Sequence, residues 1–446
     1  MRHGFLNSKM IVLGSNFLDA SELAGSFIAI AMLLLSASFF GYLFQKITFP
    51  KVVGEIVGGL VLGPTVAGHF MPDWYEKLFS SRSISLLYWF GLILLMFISG
   101  FEVDKLFEKK DIKIIAVIVI GSTAIPLSIG WSIPTIYNCS NLIGPANNFL
   151  AFQTIFATAT AVTSIPVITK IFMDLGVMES RFAKIVLAAA IIHDAILYVA
   201  ISMATSAVGA KSESLIDACF IGAKTFAFFI IILLAIPKLL RVMNNPKINI
   251  LFKSSTTGYS LSFCFFFVAA ASFININMMF GGFVAGVTIS LMQGSNFIDS
   301  RAVIKEISLS FFIPLYFALV GLKLDLIHQF DPLSCLGFLI LSSLAQIAGT
   351  TLAAKILKKN WLTSVNFAMA MNARGGPGIV LASLAFDLGI ISESFFTTLV
   401  LTAIMTSLIA GRWLYFILSR GWELLTDDKG TDGSKTPQQL PEPGEA

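Results

Sequence analysis

The chain has 446 residues, of which 56% are hydrophobic and 13% charged, and its formal net charge is +4. Soluble domains carry about a quarter charged residues, and single soluble cores stop growing near about 250–300 residues, so an ordinary globular protein is excluded. The small positive excess lies mostly in loops, which speaks against a nucleic-acid surface.

The first 20 residues, "MRHGFLNSKMIVLGSNFLDA", lack a sustained apolar stretch and a small-residue cleavage site, so no removable signal peptide is expected and 1–23 reads as an N-terminal segment. Beyond it, apolar runs long enough to cross about 30 Å of hydrocarbon recur from residue 24 to residue 418. They predict an all-α polytopic membrane protein with thirteen spans, near 24–45, 52–66, 84–101, 114–137, 150–176, 181–206, 216–240, 256–273, 276–292, 306–327, 334–357, 362–386 and 393–418. Residues 419–446 read as a largely disordered tail, rich at its end in Gly, Pro and acids. Cys139, Cys219, Cys264 and Cys335 are scattered without a CxxC pair, so neither a metal motif nor a redox motif is present and no cofactor is expected.

The spans repeat. "ISGFEVD" (98–104) matches "LVGLKLD" (319–325), each closing a third span, and "VVGEIVGGLVLGP" (52–64) and "MMFGGFVAGVTIS" (278–290) are both glycine-rich second spans. Residues 24–206 and 256–418 therefore read as two six-span copies, with 216–240 as connector. That arithmetic places the copies in opposite orientation, the inverted-repeat plan of secondary transporters. Eighteen Lys and Arg, Lys46 and Lys109 among them, fall in loops on one side and six, including Lys77 and Lys323, on the other. This bias predicts an outside N-terminus and a cytoplasmic C-terminus in the plasma or inner membrane.

Fifth and twelfth spans, one in each copy, contain "AVTSIPV" (161–167) and "ARGGPGIV" (373–380), and neither can continue as a helix through Pro166 or through Gly375, Gly376 and Pro377. Broken backbone at membrane depth survives only inside protein or beside a water-filled cavity, so two matched breaks mark a substrate site. Thr160, Thr163 and Ser164 put hydroxyls before the first break, oxygen ligands of the kind a small hard cation prefers, although such hydroxyls also bond their own helix. The helix after that break carries His193 and Asp194 at the middle of "AAAIIHDAILYVA". An ionised aspartate there costs roughly 2.5–3.5 kcal/mol, so a partner, water or a bound cation has to offset it. A carboxylate that holds either a proton or a monovalent cation is the minimum machinery of proton-coupled exchange.

"PKVVGEIVGGLVLGP", "AVTSIPVITKIFMDLG", the 193–194 pair, "FFIPLYFALVGLKLDL" and "MNARGGPGIVLASLAFDLGIIS" together resemble the monovalent cation:proton antiporter superfamily, in the branch of sodium/proton antiporters and Kef-type potassium efflux systems. The resemblance covers 24–418. It implies crossed broken helices, a homodimer, elevator-like alternating access and Asp194 as the shared site for the transported cation and the proton. It assigns Glu55 and Arg374 to buried structural contacts. Two departures stand out: His193 occupies a position usually held by Asp or Asn, and Gln346 aligns where a lysine is common. The two neutral replacements are expected to hydrogen-bond to each other, and His193 reads either as a satisfied core histidine or as a titratable neighbour that tunes Asp194 and its coupling. The expected activity is exchange of Na+, with Li+ or K+ as alternatives, for H+, leaning to electroneutral. A Kef-like K+ efflux transporter without a fused regulatory domain is the alternative. A channel lacks a filter-like loop, and an enzyme is disfavoured because the Asp427–Asp428 pair lies in the polar tail.

Overall fold

The computed structural model describes residues 20–46, 49–79, 82–101, 109–210, 223, 254–273, 278–292 and 295–426. The expected connector, apart from Ala223, lies outside these residues, as do 1–19 and the tail beyond 426.

Among the described residues the chain is helical, with one isolated bridge between Ile143 and Ile391. The first half holds α1 (Ala20–Lys46), α2 (Lys51–Leu62), the short α3 (Ala67–Phe70) and α4 (Pro72–Phe79), α5 (Arg82–Phe101), α6 (Ile112–Ile136), α7 (Phe149–Ala161), α8 (Ile165–Asp174) and α9 (Arg181–Ala210). The second holds α10 (Thr256–Phe273), α11 (Met278–Ser290), α12 (Ser295–Ile307), α13 (Ile313–Leu322), α14 (Pro332–Ile356), α15 (Trp361–Met371), α16 (Gly375–Asp387) and α17 (Glu393–Ser419). Apart from the connector, every expected span coincides with one of these helices or with a pair set end to end. Nine helical stretches among the described residues are long and apolar enough to cross a membrane. Large apolar side chains such as Leu35, Ile120, Phe273 and Leu333 point outward, 65–87% exposed, as the lipid-facing surface of a multi-pass membrane protein requires.

Between α12 and α13, Ser308–Phe312 widens into a π turn. Pro314 follows it and cannot donate a main-chain hydrogen bond, so the backbone loosens just ahead of the proline instead of breaking.

Close helix packing falls into two bundles. One contains α1–α5 and α10–α13; the other contains α6–α9 and α14–α17. The first is joined by glycine contacts in which one backbone rests on another. A Cβ on Gly59 would lie 1.7 Å from the Ala318 carbonyl oxygen, and one on Gly321 1.9 Å from that of Ile56. The same junction recurs between α5 and α11, where a Cβ on Gly286 would lie 2.0 Å from the Phe97 carbonyl oxygen and one on Gly100 2.5 Å from that of Phe283. In the two-copy reading α2 corresponds to α11 and α5 to α13, so these are one contact made twice with the copies exchanged. Without a hydrophobic drive between helices in lipid, such close approach is what holds them.

The second bundle is built round the two interrupted helices and has an apolar cluster of its own, including Ile168, Phe172, Phe182, Val186, Phe367 and Leu414. A larger cluster runs across the boundary between the bundles, bringing Met96, Phe97, Phe280 and Phe283 against Leu197, Tyr198 and Ile201 of α9.

Candidate functional site

Both interruptions occur where the prolines required them, though slightly earlier in the chain. α7 ends at Ala161, 162–164 are non-helical with Val162 and Ser164 extended, and Pro166 is the second residue of α8. In a first helical turn the missing proline N–H costs nothing, because that donor has no intrahelical acceptor. At the second interruption 372–374 form the gap, and Gly375, Gly376 and Pro377 open α16. Gly375 has φ +30°, and a Cβ there would sit 2.1 Å from Val167 Cγ2 and 2.8 Å from Ser164 Oγ. The glycine is thus required by contact with the other break.

The two gaps are stitched together. Ser164 N–H donates to the Ala373 carbonyl at 2.6 Å, and Thr163 Oγ1 donates to the Met371 carbonyl at 2.5 Å. Arg374, 2% exposed, donates through Nη2 to the Thr160 carbonyl at 3.1 Å and to the Ser342 carbonyl at 2.8 Å, and through Nη1 to Ser342 Oγ at 2.9 Å. All these acceptors are neutral. A resident guanidinium therefore occupies the carbonyl of Thr160 that the broken helix sets free. The Thr160 hydroxyl donates to Phe156 O in its own helix, and Ser164 Oγ accepts from Val167 N as the cap of α8. Thr160, Thr163 and Ser164 are all buried at the crossing, with oxygen lone pairs as their capacity for a cation.

The expected bond between His193 and Gln346 is not formed. His193 Nε2 lies 2.8 Å from Ser122 Oγ and 3.1 Å from Thr123 Oγ1 on α6, and the end of α7 at Ala161 lies beside the ring. Gln346 Nε2 donates instead to the Met371 carbonyl at 3.2 Å, the same acceptor that Thr163 uses. The physical reason is directional: position 193 of α9 faces α6, whereas position 346 of α14 faces the second break. Glu55 sits apart from both, in the other bundle, buried on α2 and paired with Lys51 at 3.4 Å.

Asp194 is fully buried, and neither carboxylate oxygen has a hydrogen-bond partner among the described residues. Its helical neighbours at three and four residues belong to different clusters: Ala190 and Ile191 lie in the second bundle's own core, and Leu197 and Tyr198 in the boundary cluster. The carboxylate is therefore at the seam where the bundles meet, one residue from a histidine that touches the first break. A buried carboxylate without a partner is expensive as an ion, by several kcal/mol, and either a proton or a cation removes that cost. No group of three or more His, Cys, Asp or Glu arranged to hold a metal ion occurs among the described residues.

Sequence reasoning missed Ser122, Thr123, Ser342 and Ser407. The "GST" of 121–123, two adjacent hydroxyls amid an apolar span, was the available signal for the first pair. The same signal was present at Ser342 and Ser407, each beside a second hydroxyl in an apolar span, but not the donors they accept from, Arg374 and Gly375.

The profile of a family described as "Sodium/hydrogen exchanger, transmembrane" matches residues 34–420. The chain is 28% identical over 400 residues to K(+)/H(+) antiporter 1 of Saccharomyces cerevisiae, an alignment covering 85% of this chain and 44% of that protein. It is 25% identical over 411 residues to cation/H(+) antiporter 17 of Arabidopsis thaliana, covering 90% of this chain and 49% of the relative. The chain thus spans about half the length of these two relatives. It is also 25% identical over 392 residues to the Na(+)/H(+)-K(+) antiporter GerN of Bacillus cereus, covering 86% and 94%. Its fold is similar to that of the sodium proton antiporter MjNhaP1 from Methanocaldococcus jannaschii, with a TM-score of 0.62 at 15% identity over 90% of this chain and 99% of that one.

Proposed function

The chain belongs to the sodium/hydrogen exchanger family, and from that premise we propose that it exchanges a monovalent cation for a proton at Asp194 by alternating access. The observation that carries this reading is the buried carboxylate with no hydrogen-bond partner among the described residues. One site that needs either a proton or a cation, and has room for the charge of only one, couples the two flows by competition. Oxygen lone pairs of Thr160, Thr163 and Ser164 at the crossed breaks suit a small hard cation. Arg374 does not compete for Asp194 through any hydrogen bond; it neutralises the break carbonyl and keeps the frame assembled.

Sodium is the first reading of the cation. Potassium is the second, favoured by the name of the yeast relative, a K(+)/H(+) antiporter. His193 Nε2 is held by the Ser122 and Thr123 hydroxyls of α6, which supports one proton per cation, carried by Asp194, and electroneutral exchange. The division into a bundle joined through backbone glycines and a bundle containing the breaks supports an elevator movement of the second against the first. The charge bias supports an outside N-terminus, which puts Lys323 and Asp387 at the outer end, and a homodimer in the plasma or inner membrane completes the proposal.

Reconstitution into vesicles with an internal pH dye, with and without a valinomycin-clamped potential, tests the exchange, its site and its charge balance. Na+, Li+ or K+ is expected to drive proton movement in the wild type at rates that the potential does not change, and Asp194→Asn is expected to reduce it to background. Full exchange in Asp194→Asn would overturn the site; strong acceleration or slowing by the potential would overturn electroneutrality.

A further inference from the structure

At one end of the seam between the bundles, Lys323, just after α13, places Nζ 2.6 Å from Asp387 Oδ1, and the Tyr88 hydroxyl of α5 donates to Asp387 Oδ2 at 3.1 Å. The same ammonium lies 4.1 Å from the centre of the Tyr88 ring. Both carboxylate oxygens of Asp387 are thus held by the glycine-joined bundle, while Asp387 itself is the last residue of α16, the helix that leaves the second break. The Lys323 and Asp387 side chains are 29% and 25% exposed, so the pair is partly shielded from water. Arg181 and Asp111 form the other strong inter-element pair among the described residues, and it stays inside one bundle. At the opposite end of the seam the contact is looser, with the Arg412 guanidinium 5.7 Å from the Phe49 ring.

The two copies are unequal here. "FMDLG" (172–176) ends α8 as "AFDLG" (385–389) ends α16, and the glycines adopt matching left-handed conformations, φ +68° at Gly176 and +67° at Gly389. Asp387 therefore corresponds to Asp174. In the matched third-span motifs, "GFEVD" and "GLKLD", the position of Lys323 corresponds to Glu102. The first copy has an acid at both positions and cannot supply the mirror-image ion pair.

We propose that Lys323, Asp387 and Tyr88 form a latch that holds the moving bundle against the stationary one, shutting the Lys323 end of the seam and biasing the transport cycle toward the state open at the other end. The inference rests on the alternating-access reading. In an inverted repeat the two end states exchange the roles of the copies, and the sequence positions that correspond to Asp387 and Lys323 in the first copy are both acids, so they supply no ion pair for the opposite state. The latch therefore stabilises one end state without an equivalent in the other. Breaking it lowers the cation concentration needed for half-saturation from the Lys323 side and raises it from the other side, by the population shift the pair enforced. For a partly shielded ion pair with an added tyrosine bond, the expected change in the ratio of the two half-saturating concentrations is about threefold to tenfold.

The experiment measures half-saturating Na+ from each side of oriented proteoliposomes, and deuterium exchange of the 384–391 amides in detergent. Lys323→Gln and Asp387→Asn are each expected to shift the side ratio by that factor and to speed exchange of 384–391. The double variant Lys323→Asp/Asp387→Lys is expected to move both readouts back toward wild type. An active wild type whose side ratio and amide exchange are unchanged by either single variant overturns the latch, as does a charge swap that restores nothing. A wild type that moves no cation against protons defeats the antiport reading instead, while the amide exchange still decides whether the three residues hold the bundles together.

Discussion

At the first break the resuming helix caps itself: Ser164 Oγ accepts from Val167 N, and Val162 and Ser164 in the gap are extended. At the second break Arg374 gives α16 no cap, and the Gly375 N–H instead donates to Ser407 Oγ of α17 at 3.2 Å. The first break carries hydroxyls; the second carries a guanidinium and two glycines. The difference teaches that matched positions in the two copies have divided the labour. One keeps hydroxyl oxygens at the crossing, and the other uses its charge and its missing side chains to hold the two gaps together. Conservation of the backbone interruption does not bring conservation of chemistry with it.

Substitutions at the crossing break this comparison in graded steps. The largest effect is expected for Gly375→Ala, whose Cβ meets Val167 and Ser164 from a backbone conformation unfavourable to side chains. Strain and overpacking together are expected to cost about 3 kcal/mol and to abolish exchange, read by thermal unfolding in detergent and by vesicle transport. Unchanged stability would mean that the breaks do not touch as tightly as the geometry requires. An intermediate effect is expected at the shared acceptor. Thr163→Val and Gln346→Leu each leave the Met371 carbonyl one donor, and each is expected to cost about 1 kcal/mol or less. The double variant orphans that carbonyl and is expected to exceed the sum by about 1–2 kcal/mol; strict additivity would show that the two side chains do not serve one group. Smallest are the caps. Ser407→Ala is expected to cost about 1 kcal/mol and Ser164→Ala about 0.5 kcal/mol, since the second cap bond is the longer at 3.4 Å. The reverse order in the melting curves would assign the greater self-sufficiency to the wrong break.

Much of this architecture was legible in the residue order because lipid leaves a chain few choices. Apolar runs had to be helices, and Pro166 after Ser164 and Pro377 after two glycines marked both breaks within a few residues, whereas Pro126 and Pro134 lie inside the unbroken α6. Asp194 could be read because an isolated acid in the middle of a span demands an explanation. What could not be read is which way neighbouring side chains point. His193 and Gln346 looked like a pair because both replace charged residues of the resemblance, yet one serves α6 and the other a main-chain carbonyl that has no signature in sequence. Arg374 was legible as a buried cation but its acceptors, Thr160 O and Ser342, were not, for the same reason. The π turn before Pro314 was hidden because a proline inside a span can either loosen the helix or break it, and the residue order does not say which.

The glycine junctions carry a consequence for genetics. At Gly59, Gly321, Gly100 and Gly286 even one added methyl would have to occupy the space of a neighbouring carbonyl, so a screen for lost transport will return these positions as readily as Asp194. The two classes part at the level of protein abundance: glycine variants are expected to be cleared before they reach the membrane, whereas an Asp194 variant accumulates as an intact, silent carrier. A loss-of-function map of this chain therefore has to be divided by expression before any residue on it is assigned to the ion path.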